Sequence, residues 1–162
     1  MVLGAALICS ATAQKPSSTE AGLLDPVTSK EDLYSADADS KKEIADALDR
    51  AVSEKKRVML VFGANWCYDC HVLDRALQEG AAGEIMRQNF LLVHVDIGEG
   101  KKNPELVKTY KIPLDKGVPA IAILRSDGRL IYSSGDGEFE AARRMFKKDL
   151  VAFLNHWKAG AQ

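Results

Sequence analysis

Two cysteines three positions apart, in Trp66-Cys67-Tyr68-Asp69-Cys70, are the residues of this chain with the clearest capacity for chemistry. A loop so short leaves a disulfide little chain entropy to remove, so a bond between them is better explained by reactivity than by stability. The pair follows the apolar run Val58-Met59-Leu60-Val61-Phe62 and Gly63, and a helix is expected from Cys67 through Leu73, Ala76 and Leu77. A cysteine at the mouth of a helix meets free backbone N–H groups and the positive end of the helix dipole, and both favour the thiolate. A free cysteine has a pKa of about 8.5, and this setting draws it toward or below neutrality. Cys67 is therefore the expected nucleophile. Cys70, one turn later on the same face, is expected to be shielded and to act as the resolving thiol, attacking a mixed disulfide on Cys67 and releasing the substrate reduced.

The same spacing also serves zinc, with His71 and His94 at hand. A structural zinc site takes four ligands, usually with a second clustered pair, and the sequence holds no such pair. No metal and no cofactor is expected.

The elements that must hold the pair follow from periodicity. Ser40 can cap a helix running to Glu54, with Ile44, Ala47, Leu48 and Ala51 on one face. Val58–Phe62 and Phe90–Asp96 read as buried strands, the first leading straight to Trp66. Gly80 and Gly83 are expected to interrupt the helix after Cys67, with a further turn over Glu84–Gln88. Pro104 suits the first position of a short helix with its body at Glu105–Tyr110. Val118–Leu124 and Arg129–Ser133, separated by Ser126-Asp127-Gly128, predict an antiparallel hairpin. A final helix is expected over Glu138–Trp157, with Arg143, Arg144, Lys147 and Lys148 on its solvated face and Met145, Phe146, Leu150, Phe153 and Leu154 buried. The order predicts an α/β protein, a central mixed sheet with helices on both faces.

The 162 residues, 46% of them hydrophobic, suffice for one well-buried core. The 22 basic and 23 acidic residues nearly cancel and are scattered, which argues against nucleic acid as a partner. Met1 to Cys9 is almost wholly apolar and Ala11-Thr12-Ala13 fits a signal-peptidase site, so residues 1–13 read as a signal peptide and the protein as periplasmic or secreted. No Lys or Arg precedes the run, as in a leader missing its basic beginning; the competing reading is a frayed cytosolic N-terminus. Ile8, where a lipoprotein signal normally has a small residue, argues against lipid attachment at Cys9. The apolar run is well short of the roughly 20 residues that span a bilayer, and no stable membrane insertion is expected. Removing residues 1–13 also removes Cys9 and leaves only the reactive pair. Residues 14–39, rich in Ser, Thr, Ala, Pro and Asp, read as a flexible lead-in, and 40–158 as the folded domain.

Trp66-Cys67-Tyr68-Asp69-Cys70 after an apolar strand, with Gly117-Val118-Pro119-Ala120 before a hairpin, resembles the thioredoxin-like family over roughly residues 40–158. Ala64-Asn65-Trp66-Cys67 and Val93-His94-Val95-Asp96 resemble in particular the C-terminal domain of the periplasmic disulfide reductase DsbD and single-domain exported thioredoxins. The resemblance implies a thioredoxin fold and a thiol-disulfide oxidoreductase that reduces or isomerises protein or peptide disulfides, with a membrane-bound electron donor. A partner-binding module with little turnover, or a dithiol oxidase using the same residues in reverse, are the alternatives. It further implies a cis peptide before Pro119, packed beside the Cys67 sulfur, and a substrate groove lined by Trp66, Val118 and Pro119. An ordinary trans proline is the plainer reading.

Tyr68 and Asp69 replace the Gly-Pro of common thioredoxins. A carboxylate so near Cys67 is expected to oppose its ionisation and make the pair less oxidising. Val61 stands where many thioredoxins carry a buried acid, so the usual proton acceptor for the resolving cysteine is missing; Asp69, His71 or water are the substitutes. His71 reads equally as an exposed helix residue, and His94 as structural. From the Ala11-Thr12-Ala13 site, exported protein is expected to begin at Gln14. Intact-mass analysis of periplasmic material tests this, and finding only uncut chain in the cytosol overturns the export expectation.

Overall fold

All seven residues of Arg57–Gly63, the first strand (β1), are buried, so this strand has to sit inside a sheet with both faces covered. The computed structural model describes residues 22–28 and 32–160; the expected signal peptide lies outside them. In a four-stranded sheet, β1 pairs in parallel with β2 (Phe90–Asp96), from Arg57 opposite Phe90 to Gly63 opposite Asp96. On its other side it pairs antiparallel with β3 (Ala120–Leu124), which pairs antiparallel with β4 (Leu130–Ser133), giving the order β2-β1-β3-β4. This is the expected mixed sheet.

Alternation along β1 divides the interior into two cores. Val58, Leu60 and Phe62 pack with Ile44, Ala47 and Ala51 of α1 (Ser40–Glu54) and Leu106 of α4 (Pro104–Thr109). Met59 and Val61 face the other way, toward Val72, Leu73 and Leu77 of α2 (Tyr68–Gln78), Ala82 and Met86 of α3 (Gly80–Asn89), and Leu150 and Leu154 of α5 (Lys147–Trp157). The buried Arg57 donates to the Trp157 carbonyl and ties the end of α5 to the start of β1.

Several expectations need correction. The cap of α1 is Asp39, whose carboxylate accepts from the Lys42 N–H at 3.1 Å, while Ser40 is the first helical residue. Gly83 does not interrupt a helix; it lies inside α3, where a side chain would strike the Gln78 carbonyl at 2.3 Å, so glycine permits the close approach of α2 and α3. The final helix does not begin at Glu138. Phe139 and Ala142 are buried, Ala142–Arg144 forms a single 3₁₀ turn, and Met145–Phe146 leads extended into α5.

The reason lies at the other end of the chain. Leu24 N–H donates to the Met145 carbonyl and Lys147 N–H to the Gly22 carbonyl, both at 2.9 Å, forming a bridge that a helix through Met145 would forbid. Lys147 also pairs with Asp25, so it is not simply a solvated charge. Phe146 is exposed rather than buried. Two residues in the described parts of the expected flexible lead-in are buried: Leu24 enters the α2/α3/α5 core, and Tyr34 lies against the cysteines. Composition suggests flexibility, but two apolar side chains and a few hydrogen bonds fasten the described stretches 22–28 and 32–39 at these points. Leu24→Ala should lower unfolding free energy by about 2 kcal/mol, the lower end for a buried leucine because the segment can detach. Urea unfolding measures this; no change would restore the flexible reading.

Candidate active site

Gly63 ends β1, and a turn closed by the Cys67 N–H on the Ala64 carbonyl (3.0 Å) delivers Cys67 to the mouth of α2. Cys67 is the cap of that helix rather than its first residue: its backbone is extended, and its sulfur accepts from the Cys70 N–H at 3.1 Å. Cys67 and Cys70 form a disulfide, with Cα atoms 5.3 Å apart. Cys67 is 5% exposed and Cys70 is fully buried. The sulfur nearer solvent thus sits on a free N–H group at the positive end of a helix, where a thiolate is favoured.

The loop before β3 forms the opposite wall. The Val118–Pro119 peptide is cis, as the resemblance implied, and the Val118 carbonyl oxygen lies 3.5 Å from the Cys67 sulfur. Val118 packs on the cluster of Tyr34, Cys67 and Cys70, and Pro119 is buried. Trp66 is 59% exposed, with its indole N–H donating to the Gly98 carbonyl at 2.9 Å; this holds the ring toward the loop after β2. Tyr68, which follows Cys67, is exposed.

The polar neighbours depart from expectation. Asp69 is buried and accepts from both the backbone N–H and the guanidinium of Arg143, so the 3₁₀ turn is fastened onto α2. A cation on this carboxylate offsets its opposition to a Cys67 thiolate, and its hydrogen bonds commit it elsewhere than to Cys70. His71 is buried, not exposed. Its Nε2 lies 2.9 Å from the Asn65 carbonyl, which can only accept, so Nε2 carries the proton and the ring braces the turn before Cys67. His94 contacts the buried Asp74 carboxylate at 2.8 Å, the structural placement expected of it.

Sequence reasoning missed three contributors: Tyr34, Asn65 and Arg143. Asn65 and Tyr34 exchange two hydrogen bonds, Tyr34 N–H to Asn65 Oδ1 at 2.9 Å and Asn65 Nδ2 to the Tyr34 carbonyl at 2.8 Å. The signal for Tyr34 was the isolated apolar pair Leu33-Tyr34 in an otherwise polar stretch. Among the described residues, no three His, Cys, Asp or Glu side chains converge as a metal ion would require.

A family model described as Thioredoxin-like matches residues 39–126. The crystal structure of a disulphide isomerase from Xylella fastidiosa Temecula1 is 33% identical, with a TM-score of 0.71, over 76% of this chain and 95% of that one. The oxidised C-terminal domain of DsbD from Neisseria meningitidis, at 19% identity and a TM-score of 0.53, shares the fold over 74% of this chain and 96% of its own. The thiol:disulfide interchange protein DsbD 2 of Pseudomonas aeruginosa is 28% identical over 121 residues, 72% of this chain. The chain spans only 23% and 18% of the lengths of the two curated relatives it matches.

From the different burial of the two sulfurs, alkylation of the reduced protein near neutral pH should label Cys67 about tenfold faster than Cys70 or more. Peptide-resolved mass spectrometry reads both sites. Equal rates, or faster labelling of Cys70, would reverse the two roles.

Proposed function

The chain belongs to the thioredoxin-like family, and on that premise we propose that it is a thiol-disulfide oxidoreductase working through Cys67 and Cys70 on protein or peptide disulfides. One observation carries the reading: the Cys67 sulfur caps α2 on the Cys70 N–H while disulfide-bonded to a fully buried partner. In the reducing direction, the Cys67 thiolate attacks a substrate disulfide, one substrate sulfur leaves as a thiol, and a mixed disulfide remains on Cys67. Cys70 then attacks the Cys67 sulfur, the internal disulfide forms, and the second substrate thiol departs.

Trp66, Val118 and Pro119 serve as the substrate surface in this proposal. The exposed indole adjoins Cys67 in sequence, and the Val118 carbonyl, joined to Pro119, lies 3.5 Å from the Cys67 sulfur, which suits an extended peptide laid across it. Tyr68, exposed beside them, adds to this surface, while Asp69 and His71 act by holding the helix mouth in place.

A reductase or isomerase accords with the names of the relatives, and the reduction potential relative to the compartment sets the direction. Export to the periplasm or beyond, and supply of electrons by a membrane-bound donor, complete the proposal. Among the described residues no helix is long and apolar enough to cross a membrane.

Cys67→Ser should abolish reduction of insulin disulfides in a turbidity assay, a fall of at least about a hundredfold toward background. Turnover that survives the substitution overturns the exchange mechanism. A binding module with little turnover would instead show a feeble wild type and unchanged partner affinity in the variant.

A further inference from the structure

Tyr34 presents a polar group that the disulfide form leaves unused. The residue is 2% exposed, and among the described residues its hydroxyl has no hydrogen-bond partner. A buried hydroxyl without a partner is costly, so one that persists calls for a state of the protein in which it is satisfied.

Its position indicates that state. Gly63 lies on the same face of β1 as Val61, and a β-carbon built there would meet the Tyr34 hydroxyl at 2.3 Å and the Cys70 sulfur at 2.6 Å. The two atoms therefore converge on one small space that glycine leaves open. Tyr34 is held there from both sides: its backbone is clamped by Asn65, two residues before Cys67, and its ring stands edge-on to His94 with centroids 5.3 Å apart. In the disulfide the Cys70 sulfur is a weak acceptor. Once its bond to Cys67 is broken it becomes a thiol or thiolate, and a buried thiolate needs a donor.

We propose that the Tyr34 hydroxyl donates a hydrogen bond to the Cys70 sulfur whenever the internal disulfide is open, and so supports the resolving thiolate in a chain whose β1 carries no acid at Val61. The inference rests on the exchange reading above. Tyr34 precedes residue 39, where the family match begins, so the donor comes from a segment outside the matched domain.

In the resolving step Cys70 loses its proton to water, and its thiolate attacks the Cys67 sulfur. The Cys70–Cys67 bond forms as the Cys67–substrate bond breaks. The substrate sulfur leaves with the electron pair and takes a proton from water, so the pair of cysteines is oxidised as the substrate is reduced. Tyr34 keeps its own proton throughout: burial, then the negative charges of Asp74 and Asp96, push its phenol well above the usual range. It is a donor and not a base. The titratable groups that face Tyr34 are Asp74 of α2 and His94 and Asp96 of β2, with His71 next to Cys70 in sequence; Asp74 and His94 hold each other, Asp96 accepts from the Gly98 N–H and the Lys102 ammonium, and His71 is committed to the Asn65 carbonyl.

Tyr34→Phe in the full chain preserves the ring and removes the donor. In a Cys67→Ala background, peptide-resolved alkylation of Cys70 against pH should show its midpoint raised by about one unit, equivalent to a tenfold change in ionisation. With Cys67 present, the mixed disulfide should form at the wild-type rate and resolve about tenfold more slowly. A merely structural role would not move the Cys70 midpoint. Unchanged midpoint and resolution, in a chain whose wild type forms and resolves the mixed disulfide, overturn the Tyr34 role alone. Failure of the wild type to form one overturns the exchange reading and this inference together. Should the variant fold poorly, NMR of the wild type replaces it: exchange of the Tyr34 hydroxyl proton should slow on reduction, and equal rates in both states overturn the proposal.

Discussion

The hydrogen bond from the Cys70 N–H to the Cys67 sulfur places a sulfur atom at a helix-capping position that favours serine, threonine, asparagine or aspartate. In the proposed exchange reaction, capping the helix and supporting a thiolate are then one interaction, since the N–H that the sulfur caps also stabilises negative charge on it. The arrangement tolerates little displacement of the turn from Ala64 to Trp66. That turn is set by where β1 ends, and β1 is immobilised by its neighbours on both sides and by apolar cores on both faces.

Around this point the polar side chains are mutually committed. Asp69 is bound by Arg143, Asp74 by His94 and Gln78, and His71 by the Asn65 carbonyl. Each pairing withdraws a charged or titratable group from the sulfurs, and those with Arg143, His94 and Asn65 hold α2 to a neighbouring segment. The consequence is an almost apolar setting for Cys70, in which a thiolate would be poorly supported without a dedicated donor. Val61 supplies no acid there, and among the described residues the buried Tyr34 hydroxyl has no hydrogen-bond partner.

Both ends of the described chain contribute to this setting. The N-terminal segment supplies Leu24 to one core and Tyr34 to the cysteine cluster, and its bridge to Met145–Lys147 breaks what would otherwise be a longer final helix. The same break frees the 3₁₀ turn at Ala142–Arg144 to engage Asp69. A segment whose composition suggests a linker therefore contributes to the surroundings of the helix that carries Cys67 and Cys70.

The one-dimensional pattern was sufficient for whatever depends on neighbours in sequence. The continuous apolar run of β1, the extent of β2, the hairpin around Asp127-Gly128 and the cysteine pair at a helix mouth could all be read directly, because periodicity and turn chemistry are local properties. The cis peptide at Pro119 came from the resemblance. Contacts distant in sequence were not legible. Asp69 looked like a modulator of Cys67 until Arg143, 74 residues away, was found on it. His71 reads either as a proton acceptor or as an exposed helix residue, whereas it is buried with its ring on the Asn65 carbonyl; Glu138–Phe146 reads as helical, whereas Leu24 takes the Met145 carbonyl and Gly22 accepts from the Lys147 N–H. Helical propensity in that stretch is weak compared with a set of tertiary hydrogen bonds and buried side chains, so the tertiary structure decided its conformation. It also decided the place of Tyr34, whose nearness to Cys70 depends on a glycine in a strand and an asparagine in a turn that no local pattern connects to it.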